Sequence, residues 1–181
     1  MNVQVKYTYQ DLLTTPDDGN RYEIFEGELI MTLAPNKAHQ YAVGNLYKIL
    51  RDFVEDRQLG KVILAPFDVY FDEETTIQPD LIFVFKERLH IISEQKVNGA
   101  PDVVIEIISE STESRDRGFK FKLYAKEGVK EYWIVDPTNK TIEVYELKET
   151  GLGLVGKFSN KEEVRSLYFA GLKFTVNQIF E

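Results

Sequence analysis

The chain of 181 residues contains no cysteine, one tryptophan, two methionines and two histidines. Without thiols there can be no disulfide scaffold, no cysteine-type zinc finger and no thiol nucleophile, and a reducing compartment suits the chain. Long apolar runs are missing as well. None approaches the roughly 18 residues that a membrane-spanning helix needs, and the opening MNVQVKYTYQ has no basic stretch leading into an apolar one. The expectation is a cytoplasmic protein with neither signal peptide nor membrane span. Repeats, Ser/Gly linkers and low-complexity tracts are absent too, so residues 1–181 read as a single domain. What the chain does have is 43% hydrophobic and 13% aromatic residues spread along its length, enough to bury a core.

Basic charge is in short supply. Against 30 acidic residues stand 22 Lys and Arg, a formal charge of −8 at pH 7. Phosphate backbones are bound by Lys and Arg releasing counterions, so this balance at first argues against a nucleic-acid partner. The charge is uneven, however. Residues 61–109 carry −5, whereas 110–130 carry +2 through Arg115, Arg117, Lys120, Lys122, Lys126 and Lys130.

Periodicity predicts the elements. Thr8 caps a short helix that ends at Thr15-Pro16, and Arg21–Phe25 and Glu28–Leu33 flank a Glu26-Gly27 hairpin turn. From Lys37 to Arg57 the residues Ala42, Leu46, Ile49, Leu50, Phe53 and Val54 recur at three and four, the pattern of an amphipathic helix, with Gly60 beyond its end. Residues 62–71, 76–85 and 101–109 read as three strands, the last two apolar enough to be central. Helical spacing returns over 113–127, stopped by Gly128. A hairpin over EYWIVDP and TIEVYEL, one or two edge strands and a short helix near Val176–Phe180 complete the chain. That order predicts a mixed α/β sheet with helices packed on it.

Two acids break the local pattern. Glu106 lies inside Val103-Val104-Ile105-Glu106-Ile107-Ile108, apolar on both faces, where an ionised carboxylate costs several kcal/mol unless a cation meets it. Asp80 follows Pro79 at the head of Leu81-Ile82-Phe83-Val84-Phe85. If the two strands are neighbours the carboxylates converge, and they then need a divalent cation or a shared proton. Oxygen donors without sulfur favour Mg²⁺ or Mn²⁺. On the helix that follows, Asp116, Lys120 and Tyr124 stand at i, i+4 and i+8 on one face, which makes Lys120 the first candidate for a cation over Glu106; Lys122, on another face beside Phe121, is the second and reads as surface. Glu28 and His39 are further polar candidates near the mouth. A rival reading keeps Glu106 and Lys120 as a plain buried ion pair. The Asp68–Glu74 acids read as a solvated hairpin, and Trp133 with its neighbouring tyrosines as core.

Gln78-Pro79-Asp80-Leu81-Ile82-Phe83-Val84, Pro101-Asp102-Val103-Val104-Ile105-Glu106-Ile107-Ile108-Ser109, Asp116-x-x-x-Lys120-x-x-x-Tyr124 and Gly128-Val129-Lys130-Glu131-Tyr132-Trp133-Ile134-Val135-Asp136-Pro137 together resemble the Uma2 family of endonucleases, within the PD-(D/E)XK superfamily. Tyr22–Leu29 with His39 is similar to that family's opening motif, and Ala170-Gly171-Leu172 to its closing one. The resemblance implies a restriction-endonuclease-like fold, a mixed β-sheet flanked by α-helices. It also implies Mg²⁺-dependent (or Mn²⁺-dependent) hydrolysis of DNA. Asp80 and Glu106, with Glu28 and the backbone carbonyl of Ile107, would hold the metal, Lys120 would act as the catalytic lysine, and His39 and Tyr124 would contact the phosphate or hold Lys120. Cutting both strands calls for two sites, hence a homodimer. One departure stands out: where the superfamily places its lysine this chain has Ile108. An alternative that this departure encourages is an inactive nuclease-fold protein serving as a binding or regulatory partner. With a metal cancelling Asp80 and Glu106, the acidic balance no longer excludes DNA; it implies weak, salt-sensitive, metal-dependent binding.

Overall fold

The computed structural model describes residues 5–181. The strands form two sheets. One holds β1 (Arg21–Phe25), β2 (Glu28–Thr32), β4 (Asp68–Asp72), β5 (Thr75–Ile77) and β7 (Lys96–Asn98) in the order β2-β1-β5-β4-β7. The other holds β3 (Gly60–Leu64), β6 (Leu81–Phe85), β8 (Val103–Ile107), β9 (Glu131–Asp136), β10 (Thr141–Lys148) and β11 (Gly151–Ser159) in the order β11-β10-β9-β8-β6-β3. Helices α1 (Tyr9–Leu12), α2 (Lys37–Asp56), α3 (Glu113–Asp116), α4 (Phe119–Glu127) and α5 (Asn177–Phe180) complete the fold. No helix among the described residues is long and apolar enough to cross a membrane.

Two of the three central strand runs are each divided between the sheets. Residues 62–71 split at Ala65-Pro66 into β3 and β4, and 76–85 split at Gln78-Pro79-Asp80 into β5 and β6. Proline has no N–H to give the ladder, so the chain leaves one sheet at each proline and joins the other. Apolarity over the whole run hid this, because both halves carry apolar side chains, only in different sheets. The predicted helix over 113–127 is likewise two, α3 and α4, broken at Gly118. There an added Cβ would lie 2.5 Å from the Ser114 carbonyl oxygen, so the turn closes only around glycine.

Alternation along the central strands sorts side chains onto two faces. Leu81, Phe83, Val103, Ile105, Ile107, Trp133 and Val135 join Ala42, Leu46, Leu50 and Phe53 of α2 in one core cluster, which α5 closes through Ile179. Ile82, Val104, Ile108, Tyr132 and Ile134 face the other way, into a second cluster with Leu123 and Tyr124 of α4 and with Val69, Ile77 and Val97 of the five-stranded sheet. The six-stranded sheet is therefore sandwiched, and its central strands are apolar on both faces, as their sequence demanded. Strands β8 and β9 run parallel and are joined through α3 and α4, whereas β6 and β8 run antiparallel.

Candidate active site

The antiparallel register of β6 on β8 pairs Leu81 with Ile105, and one step further along the ladder sets Asp80 opposite Glu106. Parity places Glu106 on the face of Val104 and Ile108, directly beneath α4. The Asp80 N–H donates to Glu106 Oε2 at 3.3 Å, and the Ile107 N–H donates to Asp80 Oδ2 at 2.9 Å. Two carboxylates thus meet where the chain crosses between sheets.

Cations and hydroxyls close around them. Lys120 Nζ donates to Glu106 Oε1 at 3.0 Å and to Glu23 Oε1 at 2.9 Å, and lies 3.7 Å from Asp116 Oδ1. Tyr124 Oη donates to Glu106 Oε1 at 2.6 Å. Arg21 reaches Asp80 Oδ1 at 2.6 Å, and His39 Nε2 lies 3.0 Å from Asp80 Oδ2. Asn36 caps α2 by accepting the His39 N–H at 3.0 Å, which fixes the helix start that aims the imidazole inward. Glu23 also accepts the Gln78 N–H at 2.8 Å and ties the hairpin to the crossing point. Apart from the fully buried Tyr124, these residues line one cleft of about 210 Å³.

Burial and charge set the protonation balance. Glu23, Asp80, Glu106 and Asp116 are all buried, and around Lys120 three carboxylates share one ammonium. Burial opposes the charge on Lys120, but Glu106, Glu23 and Asp116 outweigh it and hold the ammonium above its ordinary range. The surplus falls on the acids. Burial, only partly offset by Lys120, pushes Glu106 up to about 8 and raises Asp116 as well. Asp80 goes the other way: burial disfavours its charge, yet His39 and Arg21 together hold its carboxyl below the usual range. Burial and the nearby Glu106 lift the Tyr124 hydroxyl well above its ordinary value, so it remains a donor.

The sequence-derived candidates separate cleanly in space. Asp80, Glu106, Lys120, Tyr124 and His39 come together, and Ile107 joins them through its backbone N–H; Lys122 is exposed on another face of α4. Glu28 does not join. It sits at the turn end of the hairpin, paired with Phe25, and lines a separate depression with Lys6, Glu26 and Glu74. Glu23 takes the place expected of Glu28, because in the hairpin register Glu23 pairs with Ile30, two residues farther from the turn. Arg21 and Glu23 were not singled out from sequence. The available signal was two charges at i and i+2 on a strand whose neighbours are apolar, which puts both on one face. Ile108 packs in the second cluster beneath Leu123 and Tyr124, so a lysine there would be buried among apolar side chains; the helix above supplies the ammonium instead. Asp102 belongs to a different cluster, meeting Arg88 and Lys130 at 2.7 Å each.

Among the described residues no three His, Asp or Glu side chains already form a metal cage. The donor set nevertheless suits a small hard cation. Two facing carboxylates and a surplus of buried negative charge match the one or two carboxylates by which Mg²⁺ is held, the rest of its shell being water and substrate oxygen.

The architecture is thus a mixed α/β fold with two facing acids and a lysine where the chain crosses between its sheets. A solved structure, that of a putative nuclease belonging to DUF820 from Anabaena variabilis, superposes with a TM-score of 0.79 over 96% of this chain and 97% of the other, at 20% identity. The chain belongs to the Uma2 family, described as "Putative restriction endonuclease", whose profile matches residues 8–177. An uncharacterized protein of Synechocystis, slr1290, is 36% identical over 83 residues, which cover 44% of this chain and 42% of that protein. The aligned segment thus spans about two fifths of this curated relative.

Proposed function

We propose that this protein is a metal-dependent endonuclease that hydrolyses DNA phosphodiester bonds. The observation that carries the reading is the convergence of Asp80, Glu106 and Lys120 in one cleft of a nuclease-family fold. Asp80 and Glu106, with the backbone carbonyl of Ile107, would hold Mg²⁺ or Mn²⁺. When bound, the metal lowers the pKa of a coordinated water and neutralises charge on the phosphate.

The protein's own groups divide the remaining work. Lys120, kept charged by three carboxylates, orients the attacking water or stabilises the charge that grows on the phosphoryl oxygens. Glu23 and Tyr124 fix it: Glu23 shares the ammonium, and Tyr124 holds the Glu106 oxygen that the ammonium also touches. His39 and Arg21 keep Asp80 ionised and oriented. Cleaving both strands of a duplex takes two copies of this site, and a homodimer supplies them.

A second reading has its own support. Asp80 already has Arg21 and His39 as partners, and Glu106 has Lys120 and Tyr124, so the cluster is partly satisfied without any metal. On that reading the protein is an inactive relative that binds a partner. Supercoiled plasmid separates the two. Nicking that requires Mg²⁺ or Mn²⁺, stops with EDTA and is lost in Asp80→Asn establishes the nuclease, and no nicking with either metal establishes the alternative.

A further inference from the structure

The cleft holds three cationic side chains, and two are spoken for. Arg21 is on Asp80, and Lys120 is shared by Glu23, Glu106 and Asp116. The third, Arg115, lines the same cleft from α3 and is half-buried. Among the described residues its guanidinium makes no ion pair and no hydrogen bond. The carboxylates beside it in sequence are engaged elsewhere: Glu113 holds Arg117 at 2.9 Å, and Asp116 faces Lys120. Next to Arg115 on the cleft wall stand three hydroxyls. Ser109 Oγ lies 3.1 Å from Ser111 Oγ and 3.2 Å from Thr112 Oγ1, and Thr112 Oγ1 accepts the Ser109 N–H at 3.0 Å.

We propose that Arg115, with the hydroxyls of Ser109, Ser111 and Thr112, forms a seat for the backbone phosphate adjoining the one that reacts. The inference rests on the nuclease reading and extends it to how the substrate is held. The floor of the cleft is a surplus of carboxylates that repels a polyanion, so a free cation is needed at the wall. Arginine is suited to that task because its planar fork presents parallel N–H donors to two phosphate oxygens, and hydroxyls add neutral donors beside it. Lys120, deeply buried, cannot serve the neighbouring phosphate. A seat of this kind fixes the register of the strand without reading its sequence.

The test is fluorescence anisotropy of a labelled DNA duplex, with Ca²⁺ replacing Mg²⁺, on the parent, Arg115→Ala, Arg115→Lys and the off-site control Lys122→Ala. Arg115→Ala is expected to weaken binding about tenfold and to flatten the plot of log affinity against log salt by about one, while Lys122→Ala matches the parent. Arg115→Lys, which keeps the charge and loses the fork, should fall between in affinity and retain the salt slope. Thermal melting of each variant checks that the fold is intact. The seat is overturned if the parent does not bind, if Arg115→Ala binds like the parent, or if Lys122→Ala loses as much. Plasmid nicking by the same samples keeps the two readings apart. Arg115-dependent binding without nicking retains the seat and removes the nuclease reading, whereas nicking that Arg115→Ala leaves untouched retains the nuclease and removes the seat.

Discussion

Replacing Glu106 with glutamine separates the energetic role of this carboxylate from its chemical one. Burial pushes its pKa up to about 8, so at pH 6 without metal the folded protein carries a neutral acid there, and Gln is close to its isostere. Lys120 keeps Glu23 and Asp116. Stability at pH 6 should therefore change by no more than about 1 kcal/mol. Because the folded pKa lies above the unfolded one, the associated stability is fully present below about 4.5 and is lost as pH rises through about 8. Between pH 6 and 9 the parent in EDTA should lose roughly 2–3 kcal/mol that the glutamine variant keeps, since each pKa unit is worth about 1.4 kcal/mol. Denaturant titrations at the two pH values measure this. Metal-dependent nicking by the variant should fall strongly, because one of the two carboxylates proposed to hold the metal is lost. If the two proteins keep the same stability difference at both pH values, or Glu106→Gln loses about 3–5 kcal/mol already at pH 6, Glu106 is an ionised partner in a plain ion pair and the reasoning fails. Equal nicking by both would remove the nuclease reading.

Lys120→Met should destabilise the protein by about 3–5 kcal/mol in urea unfolding, since it leaves Glu23, Glu106 and Asp116 around an apolar side chain without their shared cation. Ile108→Lys will not restore nicking to that variant and should itself cost several kcal/mol by the same assay, because position 108 lies inside the apolar cluster under α4. Glu28→Gln should nick plasmid like the parent while Glu23→Gln is slowed at least tenfold, which steady-state nicking rates resolve. Mg²⁺ should raise the melting temperature, worth about 2.7 kcal/mol at a hundred times its Kd, and Asp80→Asn should abolish the shift; an equal shift in both would place the metal elsewhere.

The amphipathic period of α2, the Glu26-Gly27 hairpin and the αL stop at Gly128 follow from local physics and could be read from the chain alone. So could the anomaly of Glu106, because a carboxylate in a run apolar on both faces is improbable wherever the strand lies. The spacing of Asp116, Lys120 and Tyr124 was legible for the same reason, since i, i+4, i+8 defines one side of a helix before its partner is known. Those three side chains do converge near Glu106, even though Gly118 breaks the helix between the first and second.

Other features depended on pairings that no local pattern encodes. Whether residues 62–71 make one strand or two depends on which sheet offers each half a hydrogen-bonding edge, and periodicity is blind to that. His39 reads as a helix-start residue until α2 is laid against the crossing point, where it meets Asp80 across 41 positions of sequence. The choice of Glu23 over Glu28 is a matter of register: moving along a hairpin by two residues keeps the face but carries a carboxylate several Å toward the turn. Sequence thus marked Asp80 and Glu106 as breaking their local pattern, but not Arg21 or Glu23. Tertiary structure decided which residues meet, because the contacts that neutralise a buried charge are made by groups distant in the chain, and only the folded arrangement of the two sheets brings them within hydrogen-bonding reach.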